Sequence, residues 1–326
     1  MVYNPNMTKF VNFKPAWWLN HPHTQTLWPS LVRQRPKIQT RRERISLPDG
    51  DFIDLDWTMN ISGPIVIVFH GLGGSIESKY ALGLLKAIHA RGWRGVLMNF
   101  RSASGEVNKS IKSYHAGETE DTGYVINLLH KREMNTPIAV CGFSIGGSAL
   151  LNLLGKKRPP CIKAAVAVSV PFLLSNATDS LDRGFSRIYQ RHILNSLKKT
   201  SKQKLALVHS PFTREKLDKT KNFRQFDDLV TAPVHGFNGV DDYYKQCSSR
   251  QYLTHIETPT LLIHAKDDPF MTPDAIPEKR ELSPSVQLEL HNCGGHVGFV
   301  SGVLPWKPRY WLEHRIPEYL TPLLSN

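Results

Sequence analysis

The chain has 326 residues, 40% hydrophobic and 21% charged, with 41 Lys and Arg against 28 Asp and Glu for a formal net charge of +13. That length and balance exclude a disordered or fibrous chain, and allow one large domain with an insertion or two smaller ones. Its four cysteines show no CxxC spacing, which excludes a disulfide framework and reads as reduced thiols in a cytoplasmic protein.

In chain order, residues 1–60 read as an N-terminal extension and first strands. The stretch Met1 to Asn20 is polar and aromatic, and its apolar patch Ala16-Trp17-Trp18-Leu19 is too short for a signal sequence. Trp17 and Trp18 are expected to pack on the core rather than on lipid. The β-branched run Ile65 to Phe69 reads as a buried parallel strand. It leads into His70-Gly71-Leu72-Gly73-Gly74, a glycine-rich turn that frees backbone N–H groups. Lys79 to His89 and Thr119 to Lys131 carry helical patterns. Strands alternating with helices predict a mostly parallel sheet covered on both faces.

The apolar run Pro137 to Cys141 then meets Gly142-Phe143-Ser144-Ile145-Gly146, followed by the small residues Gly147-Ser148-Ala149. A G-x-S-x-G between strand and helix holds its serine on a sharp bend with the hydroxyl standing clear of the sheet. The N–H groups of Leu72 and Ile145 are the candidate pair of oxyanion donors. The longest apolar stretch, Ala164 to Leu174, is broken by Ser169 and Pro171 and is too short to span a bilayer.

Residues 172–250 break the alternation, with few β-branched runs and several helical stretches, and read as a helical lid inserted into a core of residues 61–171 and 251–326. From Arg183 to Arg224, twelve Lys and Arg face only Glu215 and Asp218. This basic face suits an anionic membrane surface, although a solvated face that maintains solubility is the preferred reading. No nucleic-acid-binding motif accompanies it, so no nucleic acid partner is expected.

After the insertion, Pro259 to His264 is another buried-strand run ending in Ala265-Lys266-Asp267-Asp268-Pro269-Phe270. Val286 to Leu290 alternates like a last strand and precedes Cys293-Gly294-Gly295-His296-Val297-Gly298-Phe299. The order Ser, Asp, His is that of a nucleophile-elbow hydrolase, and both later residues fall just past strand C-termini. His296, on a glycine-flanked loop, is the candidate general base. Asp267 and Asp268 compete for the acid. Asp268 is preferred because Pro269 fixes the turn that aims it, and Asp267 reads as a turn aspartate. Cys141 and Cys293, beside these loops, are expected to be buried packing residues.

Beyond these loops, several segments resemble the YheT-like branch of the α/β-hydrolases, the hydrolase-4 family. They are His21-Pro-His-Thr-Gln-Thr-Leu-Trp-Pro29, Asn99-Phe-Arg101, Tyr114-His-Ala-Gly-Glu-Thr-Glu-Asp121, Phe226 to Pro233, Gly236-Phe237 and Tyr243-Tyr244. The resemblance spans almost the whole chain and implies an α/β-hydrolase fold with an inserted lid. It also implies esterase or lipase-like activity on small-molecule or lipid carboxylic esters, with the triad on Ser144, Asp268 and His296. One departure is Ser102-Ala103 after Arg101, where the family usually has Gly-Cys; that loop is expected near the mouth of the site. No metal or cofactor is expected, since there is no H-E-x-x-H or Cys/His cluster. A monomer is the default. The rivals are an acyltransferase using the same acyl-enzyme, which the absence of a His-x-x-x-x-Asp motif disfavours, and a catalytically silent membrane-surface relative.

Overall fold

A computed structural model describes residues 13–325, so the expectations for residues 1–12 lie outside the described residues. The strands are β1 Thr40–Ser46, β2 Phe52–Thr58, β3 Ile65–Phe69, β4 Arg94–Asn99, β5 Ile138–Phe143, β6 Ile162–Val168, β7 Thr260–Ala265 and β8 Val286–His291. They form one sheet in the order β1-β2-β4-β3-β5-β6-β7-β8. From β4 through β3 to β8 every neighbouring pair is parallel, whereas β1–β2 and β2–β4 are antiparallel.

Sequence explains the layering. β3 and β5 are buried along their whole length, as central strands covered on both faces must be. β1 is polar and lies at the edge. Its Arg42 and Arg44 stand directly opposite Asp56 and Asp54 in the register and form paired ion bridges, Arg44 to Asp54 at 2.8 and 2.9 Å. Cross-strand pairs of opposite charge favour that register, and a charged edge discourages further pairing.

Helix α1 Pro22–Leu31 precedes the first strand, α2 Lys79–His89, α3 Glu120–Arg132 and α4 Ile145–Lys156 lie between strands, and α11 Leu312–Leu324 follows the last one. α3 and α4 bury Val125, Ile126, Leu150 and Leu154 on one face of the sheet. α2 and α11 bury Leu85, Ile88, Ile316 and Leu320 on the other. This is the mostly parallel sheet covered on both faces that the alternation predicts, and it fits the α/β-hydrolase fold that the resemblance implies.

Between β6 and β7 the chain is helical: α5 Leu174–Leu181, α6 Ser186–Leu205, α7 Arg214–Lys219, α8 Phe223–Phe226, α9 Ala232–His235 and α10 Val240–Cys247. They build an apolar cluster of their own, including Leu181, Tyr189, Phe223, Phe226 and Val230, against which Leu72 and Phe270 pack.

Four expectations need correcting. β8 is not the last strand: β9 Val300–Ser301 and β10 Arg309–Tyr310 follow and pair with each other. The loop 102–106 is held at the sheet edge rather than at the site, because Ser104 Oγ donates to Asp54 and Glu106 pairs with Arg44. Trp18 packs on Trp28 as expected, but Trp17 is exposed. Cys141 is buried, whereas Cys293 is only half-buried.

Candidate active site

The turn between β5 and α4 places Ser144 at φ 51°, ψ −120°, a left-handed conformation that a non-glycine residue adopts at a cost. Its flanking glycines are sterically required. A Cβ at Gly142 would stand 2.6 Å from Gly146 O, and one at Gly146 would stand 2.7 Å from Phe69 O. α4 begins at the next residue, so its N-terminal N–H groups and the positive end of its dipole lie beside the serine. Ser144 sits at the C-terminal end of a central strand, where open parallel sheets hold their ligands.

His296 Nε2 lies 3.0 Å from Ser144 Oγ, and His296 Nδ1 lies 2.9 and 3.2 Å from the two Asp268 oxygens. A carboxylate only accepts, so Nδ1 carries the proton and Nε2 is left to accept from the serine hydroxyl. Asp268 is buried, and its Oδ1 also accepts from the Phe270 N–H at 2.9 Å. The three candidate residues, distant in sequence, therefore form one continuous hydrogen-bond chain. Asp267 points elsewhere: its Oδ1 accepts from the Gly295 N–H at 2.9 Å, and burial pushes its carboxyl pKa up.

The loop carrying His296 is tied down at three points. Thr26 Oγ1 of α1 accepts from the His296 N–H at 2.9 Å, Ser169 Oγ accepts from the Val297 N–H at 3.0 Å, and Phe299 N–H donates to Gly294 O at 2.9 Å. Val297 and Phe299 both have positive φ, so these anchors hold a strained backbone. Gln25 of the same helix is buried and bonds both the N–H and C=O of Val300.

The glycine-rich segment after β3 lies beside Ser144, close enough that a Cβ at Gly71 would be 3.3 Å from Ser144 Cβ. Two phenols fix it. Tyr80 accepts the Gly71 N–H and Tyr114 accepts the Gly73 N–H, both at 2.8 Å. The N–H of Leu72 between them is not used in a hydrogen bond of the turn. His70 below is fully buried and neutral, with Nδ1 donating to Gly71 O at 2.8 Å and Nε2 accepting from the Phe100 N–H at 3.1 Å. Burial holds its pKa down at about 4.

Apolar groups surround this constellation. Phe270 stacks on the His296 ring, Tyr189 of α6 packs on Phe270, and Tyr189 Oη meets His23 Nδ1 of α1 at 3.0 Å. Ile145 joins a cluster with Leu174, Val240 and Tyr243 from the insertion. Sequence reasoning missed Tyr80, Phe270, Ser169 and the anchoring role of Thr26. Thr26 and Tyr114 nevertheless lie inside two of the six segments singled out for family resemblance. Among the described residues no group of three or more His, Cys, Asp or Glu is arranged to hold a metal.

A family model described as the alpha/beta hydrolase fold matches residues 64–303. A protein of Escherichia coli (strain K12) named "Putative esterase YheT" is 44% identical over 320 residues, covering 96% of this chain and 94% of that one. Phospholipase ABHD3 of Bos taurus is 31% identical over 330 residues, covering 96% of this chain and 79% of its own. Among solved structures, the Pyrococcus furiosus esterase Pf2001 superposes with a TM-score of 0.57 at 17% identity, covering 90% of this chain and 96% of that one. The last is a likeness of fold alone.

Proposed function

Because this chain belongs to the α/β-hydrolase fold family, within its YheT-like branch, we propose that it is a serine hydrolase of carboxylic esters working through an acyl-enzyme on Ser144. The observation that carries the reading is the unbroken chain from Ser144 Oγ through His296 to Asp268, mounted on a strained turn.

Ser144 Oγ attacks the ester carbonyl while His296 Nε2 takes its proton. Asp268 keeps the imidazole in the required tautomer and stabilises the imidazolium that forms. The tetrahedral oxyanion is met by the N–H groups of Leu72 and Ile145, aided by the N-terminus of α4. His296 returns the proton to the leaving alcohol, and water enters by the same route to release the acid. Donors already fixed by Tyr80 and Tyr114 need no reorganisation as charge develops.

The helices of residues 172–250 act as a lid. Their apolar cluster reaches Leu72 and Phe270, which favours hydrophobic acyl groups and sheds water from the site. Relatives named esterase and phospholipase support an ester substrate, either small or lipid. No cofactor takes part in this scheme, and the protein acts as a monomer.

Turnover of p-nitrophenyl esters of graded acyl length tests the proposal. Wild type is expected to hydrolyse them and Ser144→Ala to be inert while remaining folded. Equal turnover by both proteins would overturn the assignment.

A further inference from the structure

Exposed apolar residues scattered singly on a surface are ordinary, but a contiguous group is not. Trp17 is 71% exposed and Trp306 74%, and Val303 and Leu304 are exposed beside them. They belong to one patch. The Trp17 Nε1–H donates to Val303 O at 2.9 Å, and the Trp18 Nε1–H donates to Gly302 O at 3.2 Å. Lys307 N–H donates to Leu304 O at 3.0 Å, closing a tight turn that puts Pro305 and Trp306 at its apex.

The patch is held rigidly from beneath. Ala16 N–H donates to Val300 O at 3.0 Å, and Gln25 bonds both backbone groups of Val300. Ala16, Leu19 and Val300 form a small core with Trp18, Trp28 and Tyr310. The exposed indoles are therefore presented in place, which lowers the ordering cost of using them.

The rim is basic. Lys14, Lys307 and Arg309 are exposed and take part in no ion pair among the described residues. The acidic residue that follows, Glu313, is turned inward to Arg33. Two exposed amphipathic indoles, one at the apex of the turn and one bonded beside it, with cations around them and an overall charge of +13 are the arrangement that seats in the headgroup region of an anionic bilayer. The Trp17 N–H is already satisfied by Val303, so its ring can enter lipid without stranding a donor.

We propose that Trp17 and the turn 302–308 between β9 and β10 anchor the protein to an anionic phospholipid surface. The anchor is separate from the basic insertion. It shares its support with the reacting site, because α1 holds Val300 through Gln25 and the His296 loop through Thr26. Its purpose as a means of reaching lipid esters rests on the hydrolase reading above, whereas the anchoring itself does not.

Co-sedimentation of the full chain with vesicles tests it, using phosphatidylglycerol with phosphatidylcholine against phosphatidylcholine alone. Wild type and Ser144→Ala should both bind the anionic vesicles, more weakly at high salt. Trp306→Ser should weaken binding about tenfold, with a further loss in Trp17→Ser/Trp306→Ser. Vesicles with brominated acyl chains should quench tryptophan emission in wild type and much less in the double variant. Both variants should keep wild-type melting and turnover of a soluble short-chain ester. Three results would overturn the anchor: no binding by wild type; binding undiminished in the double variant but lost on charge reversal of Arg187, Arg191 and Lys199 in α6; or a dimer in solution that Trp306→Ser dissolves. If vesicle binding holds while no ester is cleaved, the hydrolase reading fails and the anchor stands.

Discussion

The ring of Phe270 lies flat on the imidazole of His296, with centroids 3.9 Å apart and an interplanar angle of 8°. Phe270 also donates its N–H to Asp268, so one residue aligns both the acid, through its backbone, and the base, through its ring. A stacked contact of this kind is worth about 0.5–1.5 kcal/mol, and it restricts the imidazole to the plane in which Nε2 faces Ser144.

Phe270→Leu keeps the N–H and removes the face. Its kcat should fall about tenfold with KM nearly unchanged, and Phe270→Tyr should restore most of the rate. Steady-state kinetics with a soluble ester decide this. A rise in KM with kcat intact would assign Phe270 to substrate binding instead.

The neighbouring aspartates should separate sharply. In Asp268→Asn the Phe270 N–H holds the amide oxygen, so an NH2 donor replaces Oδ2 beside His296 Nδ1 and favours the wrong tautomer, and kcat should drop by about 10⁴. Asp267→Asn still offers an oxygen to the Gly295 N–H, so activity should fall less than about tenfold. Equal losses in the two variants would contradict the geometry.

Tyr80 and Tyr114 act one step back from the oxyanion. Removing the Tyr80 hydroxyl strands the N–H of buried Gly71, a disturbance of about 1–3 kcal/mol, whereas the Gly73 N–H bonded by Tyr114 is exposed and can turn to water. Tyr80→Phe should lower kcat about tenfold and Tyr114→Phe less, and the double variant should lose less than the product because both act on one turn. Full additivity would mean that the two phenols act independently.

Much of this fold was legible because single segments carried their own signal. The uniformly apolar β3 and β5 announced buried parallel strands, and the helix over Lys79 to His89 ended where its pattern ended. The strained elbow was readable because glycine stands at both close approaches. The pairing of β1 was harder to see, since Thr-Arg-Arg-Glu-Arg-Ile-Ser has no apolar alternation and depends on aspartates in β2. Two-residue strands such as β9 and β10 carry no periodicity at all. Among residues near the site, Thr26 and Tyr80 are ordinary helical residues in sequence. Only the tertiary fold, across 270 positions in the case of Thr26 and His296, gives them their contacts.

His70 links the site to pH. Its folded-state pKa is held near 4 against an ordinary value of 6.5, so the unfolded chain binds more protons between those values. The stability it contributes is present above pH 6.5 and is lost as pH falls toward 4, about 3 kcal/mol in all. Asp227, raised to about 6 by burial, has the opposite sign and offsets part of this, since its contribution is lost as pH rises toward 6. Denaturant midpoints measured from pH 7 to 4 should fall with acid in wild type and fall less steeply in His70→Gln. An identical slope in the two proteins would remove His70 as the cause.

The central claim is tested most directly by intact-protein and peptide mass spectrometry after treatment with a fluorophosphonate, a mimic of the tetrahedral state. Wild type should gain one phosphonyl adduct mapped to Ser144, with the rate of labelling reduced in His296→Ala and no adduct formed in Ser144→Ala. An adduct on another residue, or none on folded wild type, would contradict the assignment of Ser144 as the nucleophile.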